Sequence, residues 1–274
     1  MRTLVLSMIF AFLASCSTQQ SEQDGGNLTR SEVELLSHRM SEAIEQEFPL
    51  LQHKVVNRYV NTLGQSLISR AANMPPLPYE FRVLKTNEML AFSLPGGVVY
   101  LSLGMLRNVT SEGELASALA HELAHQQLSH QLMQWRRRVN SNRGEHYLLD
   151  FSGDWRERFL GKGGALELTP GMEQEADELA PLLLYQAHIE PRIYLSYLQL
   201  LKRKEQTELS EVAGMIRTHP PLNDRINWSK AAMAKLPPLK DPAGSSSSFQ
   251  QVKSLLRETA KKNEKAAPGK GKQE

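Results

Sequence analysis

The strongest chemical signal in the chain is five residues long, His121-Glu122-Leu123-Ala124-His125. Two histidines four residues apart stack on one face of a helix, so both imidazoles can reach a single ion. Zinc peptidases hold their metal with this spacing. Glu122 is turned about 100° from His121 around the helix axis, so it flanks the ion without having to ligate it. From there its carboxylate can take a proton from a zinc-bound water, whose pKa the ion lowers to about 7. A catalytic zinc needs one more protein ligand. The chain has one cysteine, Cys16, so that ligand must come from His, Asp or Glu. Downstream, Glu173, Glu175, Asp177 and Glu178 are available. Glu173 and Asp177 share a helical face, whereas Glu175 lies about 200° round from Glu173, so only one of the two glutamates can face the ion. Glu173 as ligand with Asp177 orienting a zinc-bound histidine is one coherent set. An acidic helix start facing solvent is the other.

The motif needs a helix, and the sequence supplies one. Ser111 can cap it, Glu114 sits at the capping-box position, and Leu115, Ala118, Leu119 and Leu123 make an apolar stripe. Upstream, helical periodicity from about Ser31 includes Val56, Tyr59, Val60, Leu63 and Leu67, and the stretch 74–78 breaks it. Two strands are expected at 79–85 and 98–103, with Pro95-Gly96-Gly97 before the second. Residues 136–170 read as an insertion with one or two short helices. Helices follow from about 171 to 186, after Pro191, and after Pro220-Pro221. The expected fold is α+β, mainly helical, with a small sheet.

The 32 basic and 30 acidic residues nearly cancel, which disfavours nucleic acid as a partner. The start of the chain, 1–15, reads as a signal peptide whose apolar run is too short to span a bilayer. Leu13-Ala14-Ser15-Cys16 resembles a bacterial lipobox, which makes Cys16 the expected lipidation site and the membrane anchor. By analogy with sorting signals, Ser17 in place of Asp favours the outer membrane. Polar residues from Cys16 to 30 read as a tether, 31–235 as the domain, and 236–274 as a Pro/Ser-rich linker with a basic, disordered tail.

Several blocks together resemble the HtpX, Oma and CAAX-prenyl endopeptidase family (peptidase family M48, of the gluzincin type), and in particular its periplasmic branch. They are Tyr59-Val60-Asn61-Thr62-Leu63-Gly64, Ala91-Phe92-Ser93-Leu94-Pro95-Gly96-Gly97, the run 119–125, Glu173-Gln174-Glu175-Ala176-Asp177, and Thr218-His219-Pro220-Pro221. The resemblance implies that Glu173 is the third ligand and Asp177 its supporting residue, with one zinc ion per chain. It also implies that His219 either returns to the zinc as a fourth ligand that holds the enzyme latent, or assists the oxyanion; the plain alternative is a turn histidine. Gluzincin folds receive the substrate backbone on an edge strand, which assigns Gly97, Val98 and Val99 to substrate binding. Leu90 departs from the pattern, since an asparagine usually stands there.

The resulting expectation is a zinc metalloendopeptidase anchored in the bacterial cell envelope, facing the periplasm from the outer membrane. Its implied substrates are unfolded or misassembled envelope proteins, with the outer-membrane protein assembly machinery as a further partner. The alternative is a zinc-stabilised chaperone or assembly factor with little turnover. The intact Glu122 favours the enzyme, because a binding protein has no need of a general base.

Overall fold

The computed structural model describes residues 28–141, 168–204 and 220–266. Cys16, His219 and most of the expected insertion therefore lie outside the described residues. The elements run α1 (Arg30–Glu47), α2 (Lys54–Arg70), β1 (Glu80–Leu84), β2 (Ala91–Ser93), β3 (Val98–Ser102), α3 (Leu103–Asn108), α4 (Glu112–Gln127) and α5 (His130–Ser141). They continue with α6 (Pro170–Gln186), α7 (Ile193–Lys204), α8 (Leu222–Met233) and α9 (Ser247–Ala266). The fold is α+β and mainly helical, as expected.

The sheet has the order β1-β3-β2, with β1 parallel and β2 antiparallel to β3. Its centre is a run of five buried residues, and the pleat sends alternate side chains to opposite faces. Val99 and Leu101 join the larger core with α2, α4, α6 and α7, while Val98 and Tyr100 join a smaller one with α1 and Trp135. The turn from β2 into β3 uses Gly96 and Gly97 at φ of 87° and 103°, a region L side chains rarely adopt. The β2–β3 ladder then closes as the Leu94 N–H donates to the Val98 carbonyl at 2.8 Å.

The β3 position corrects one expectation. Gly97, Val98 and Val99 were assigned to a substrate-binding edge, but β3 is paired on both sides, so its backbone groups are already used. Among the described residues the edges are β1 and the three-residue β2. In the β2–β3 register, Leu90, Phe92 and Leu94 face β3 with their hydrogen-bonding groups, so those of Ala91 and Ser93 point away from it.

Helix α4 begins as expected. The Ser111 hydroxyl accepts from the Glu114 N–H at 3.2 Å, and the Glu114 carboxylate accepts from the Thr110 N–H at 2.6 Å. It does not keep a wet face: every residue from Glu114 to Gln126 is buried. Alanines at 116, 118, 120 and 124 keep α4 slim where α6 and α7 pack on it, and α6 is its most extensively contacted neighbour among the described elements. The site is therefore built on the central rod of the domain.

The expected disordered tail is a second correction. Residues 247–266 form α9, and Phe249, Val252 and Leu256 bury themselves in the larger core at helical spacing. Lys253 Nζ donates to the carbonyls of Leu106, Arg107 and Val109 at 3.0, 2.8 and 2.7 Å, closing the C-terminal end of α3. Ser246 Oγ and Tyr59 Oη both donate to Glu112 at the start of α4 (2.8 and 3.0 Å), joining α9 and α2 to the active-site helix. Phe249→Ala should thus destabilise the domain by about 3–5 kcal/mol, read as a lower thermal unfolding midpoint. An unchanged midpoint would return the segment to the status of a tail.

Candidate metal centre and active site

The three expected ligands converge. His121 and His125, one turn apart on α4, place their Nε2 atoms 3.1 Å from each other. Glu173, in the first turn of α6, brings Oε2 to 3.5 Å from His121 Nε2 and Oε1 to 3.5 Å from His125 Nε2. Pro170 and the Thr169 cap start α6 at the point that sets Glu173 opposite the histidines. All three side chains are buried and form the one group of metal-ligating type among the described residues. A tetrahedral ion with bonds of about 2.0–2.1 Å separates its ligand atoms by roughly 3.3 Å. The donor set and its spacing therefore fit a single divalent cation.

Asp177 follows Glu173 by one turn and is buried beneath His121. Its Oδ1 lies 3.2 Å from His121 Nδ1, so the ring offers Nε2 to the cation while Nδ1 faces a carboxylate. Two residues that sequence reasoning missed complete this network. Tyr194 Oη, from α7, donates to Asp177 Oδ1 at 2.6 Å and lies 3.0 Å from His121 Nδ1. Arg225, from α8 and 1% exposed, grips the same carboxylate with two nitrogens, Nε on Oδ2 at 2.8 Å and Nη2 on Oδ1 at 2.9 Å.

The charges set one another. Burial raises the Asp177 pKa, but the Arg225 guanidinium and His121 outweigh it and hold the carboxyl well below the usual range. Burial and Arg225 push His121 down, yet Asp177 and Glu173 prevail and lift it to about 9. The cluster thus attracts positive charge, and a cation arriving between His121, His125 and Glu173 displaces a proton. Arg225 is itself buried, which lowers its pKa, but Asp177 raises it well above the ordinary value.

Glu122 is buried on the flank of this cluster. Ser93 Oγ, from β2, donates to its Oε2 at 2.9 Å and accepts from Gln131 Nε2 at 2.6 Å. Gln126 Nε2 donates to the Leu94 carbonyl at 2.8 Å, which fastens α4 to the end of β2. The general-base candidate therefore touches the β2 strand, an edge of the sheet among the described residues. Ser93 lay within a block already singled out, but its contact with Glu122 spans 29 residues and no spacing rule reports it. Leu90 is fully buried in the smaller core and donates its N–H to Ser102 Oγ at 2.9 Å, so it serves packing and the strand pairing. Glu175 points away from the cation site, as the helical geometry required, and its side chain is 62% exposed.

A buried His-His-Glu cluster, flanked by a carboxylate one residue after the first histidine, defines a metallopeptidase site of the HExxH type. The family comparison agrees: the model for peptidase family M48 matches residues 54–232. The chain belongs to that family, and its His121, Glu122, His125 and Glu173 form the family's intact catalytic arrangement. It is similar to the beta-barrel assembly-enhancing protease of Yersinia pestis, 28% identical over 73% of this chain and 43% of the relative. A putative beta-barrel assembly-enhancing protease of Vibrio cholerae is 26% identical over 79% and 47%, respectively. The mitochondrial metalloendopeptidase OMA1 of Schizosaccharomyces pombe is 28% identical over 65% and 54%. The chain spans about half the length of these relatives.

The Arg225–Asp177 pair carries a stability prediction. Arg225→Leu leaves a buried carboxylate without its bidentate partner and should cost about 3–5 kcal/mol in urea unfolding. A loss below about 1 kcal/mol would contradict the role given to this pair.

Proposed function

We propose that this protein is a zinc-dependent metalloendopeptidase of the bacterial envelope that hydrolyses peptide bonds in misfolded or stalled outer-membrane proteins. The observation that carries the reading is the triangle of His121, His125 and Glu173 donor atoms at 3.1–3.5 Å with Glu122 beside it. Two imidazoles and one carboxylate are the donor set of a catalytic zinc site that keeps a position open. When bound, zinc supplies Lewis acidity toward the peptide carbonyl and the attacking water.

The chain's own residues do the rest. Glu122 accepts the proton of the attacking water and passes it to the leaving amine. Ser93 holds the Glu122 carboxylate at Oε2. The Ala91 and Ser93 backbone groups that face away from β3 receive an extended substrate strand by β-augmentation. Residues already on the edge beside Glu122 thus take over the role first given to β3.

The envelope assignment rests on the names of the Yersinia and Vibrio relatives and on the expected lipid anchor at Cys16. No helix among the described residues is long and apolar enough to cross a membrane. The second reading, a zinc-stabilised chaperone or assembly factor, draws on the same relatives.

Glu122→Gln should keep zinc and lose about 10²–10⁴-fold in casein cleavage, and 1,10-phenanthroline should abolish wild-type cleavage until zinc is restored. Equal cleavage by both proteins would sink the general-base assignment. Full rescue of an envelope defect by the Glu122→Gln protein would favour the chaperone. Ala91→Pro removes a donor that β3 does not use, so it should leave the domain folded and raise KM for an extended peptide while kcat changes less. Unaltered KM would move the substrate strand elsewhere.

A further inference from the structure

His121 has a well-furnished support in Asp177, Tyr194 and Arg225. His125 has a different one, reached by a turn rather than by helical spacing. Helix α4 ends at Gln127, and Ser129 takes a φ of 57°, which reverses the chain so that α5 starts at His130. The His130 ring then looks back at α4: its Nδ1 lies 3.0 Å from His125 Nδ1. Its Nε2 lies 2.9 Å from Glu175 Oε2 on α6. His130 is fully buried, whereas Glu175 stands at the surface.

The hydrogen-bonding roles along this chain follow from one another. His125 presents Nε2 to the cation site, so a ring that ligates through Nε2 carries its hydrogen on Nδ1. The facing His130 Nδ1 must then accept, which leaves the His130 hydrogen on Nε2. That N–H points at Glu175, whose carboxylate can only accept. We propose that His130 is a positioning residue for the metal centre: it holds His125 in the Nε2-ligating tautomer and orientation, and Glu175 fixes His130 in turn. The inference rests on the metallopeptidase reading of the same site. It gives two glutamates of α6 separate tasks, Glu173 toward the cation and Glu175 toward the second-layer histidine. It also ties α5, which leads into the segment after 141, to the metal ligand.

Such supporting groups typically change metal affinity by about 10–100-fold. The test is zinc affinity of the full chain by chelator competition, together with thermal unfolding of the metal-free proteins. His130→Ala should weaken zinc binding by about 10–100-fold. His130→Asn, whose amide oxygen can take the place of Nδ1 as acceptor, should recover most of that affinity. Glu175→Gln changes an exposed side chain and should fall between wild type and His130→Ala, with metal-free unfolding unchanged. It reports on the relay even if His130→Ala does not fold. Zinc affinity within twofold of wild type in both Glu175→Gln and the folded His130 variants overturns the proposal. So does a His130→Asn protein that folds yet binds zinc as weakly as His130→Ala, because His130 would then be packing alone. A wild-type protein that binds no zinc overturns the proposed function itself, and this assignment with it. A tight wild type with unaffected variants overturns the assignment only.

Discussion

Two carboxylates, Glu173 and Asp177, lie one turn apart in the interior of the domain, at 1% and 0% exposure. Buried charge is costly unless it is paired, and this requirement organises the rest of the molecule. Asp177 is neutralised by Arg225, which draws α8 onto α6 and, with Tyr194, brings α7 to the same point. Glu173 faces two imidazoles and has room for a cation between them. The close packing of α4 on α6 is thus coupled to electrostatics: the alanines of α4 permit the approach, and the charges make it specific.

The site sits on rigid elements and meets the β2 edge strand through Ser93 and Gln126. Helix α4 is buried along almost its whole length, capped at Ser111 and tied through Glu112 to both α2 and α9. Its C-terminal half is fastened to β2 through Gln126 and Glu122. A catalytic constellation held this way keeps its geometry with little cost on reaction. The short β2 strand, to which the proposed function gives the substrate, lies against Glu122.

Much of this was legible in the sequence because it followed helical geometry. The i, i+4 spacing put His121 and His125 together, and the same rule separated Glu173 from Glu175. The strands at 79–85 and 98–103 were visible from residue pattern and turn chemistry, whereas β2 was not. What escaped was of another kind. Arg225 and Tyr194 reach Asp177 through tertiary packing across 48 and 17 residues, and Arg225 reads like any charged residue near a helix start. His130 lies five residues beyond His125, a spacing that fits the helix only after the Ser129 turn is known. Strand order set β3 in the middle, which three residues of β2 could not announce. In α9 the Lys-rich composition outweighed a readable signal, since Phe249, Val252 and Leu256 recur at three- and four-residue steps.

The central claim is that two imidazoles and one buried carboxylate hold a single zinc ion. X-ray absorption at the zinc edge on the protein loaded with one equivalent tests it most directly. The account predicts a four- or five-coordinate shell of nitrogen and oxygen at about 2.0–2.1 Å with two imidazole ligands and no sulfur. A six-oxygen shell, or zinc bound with no imidazole scattering, would contradict it.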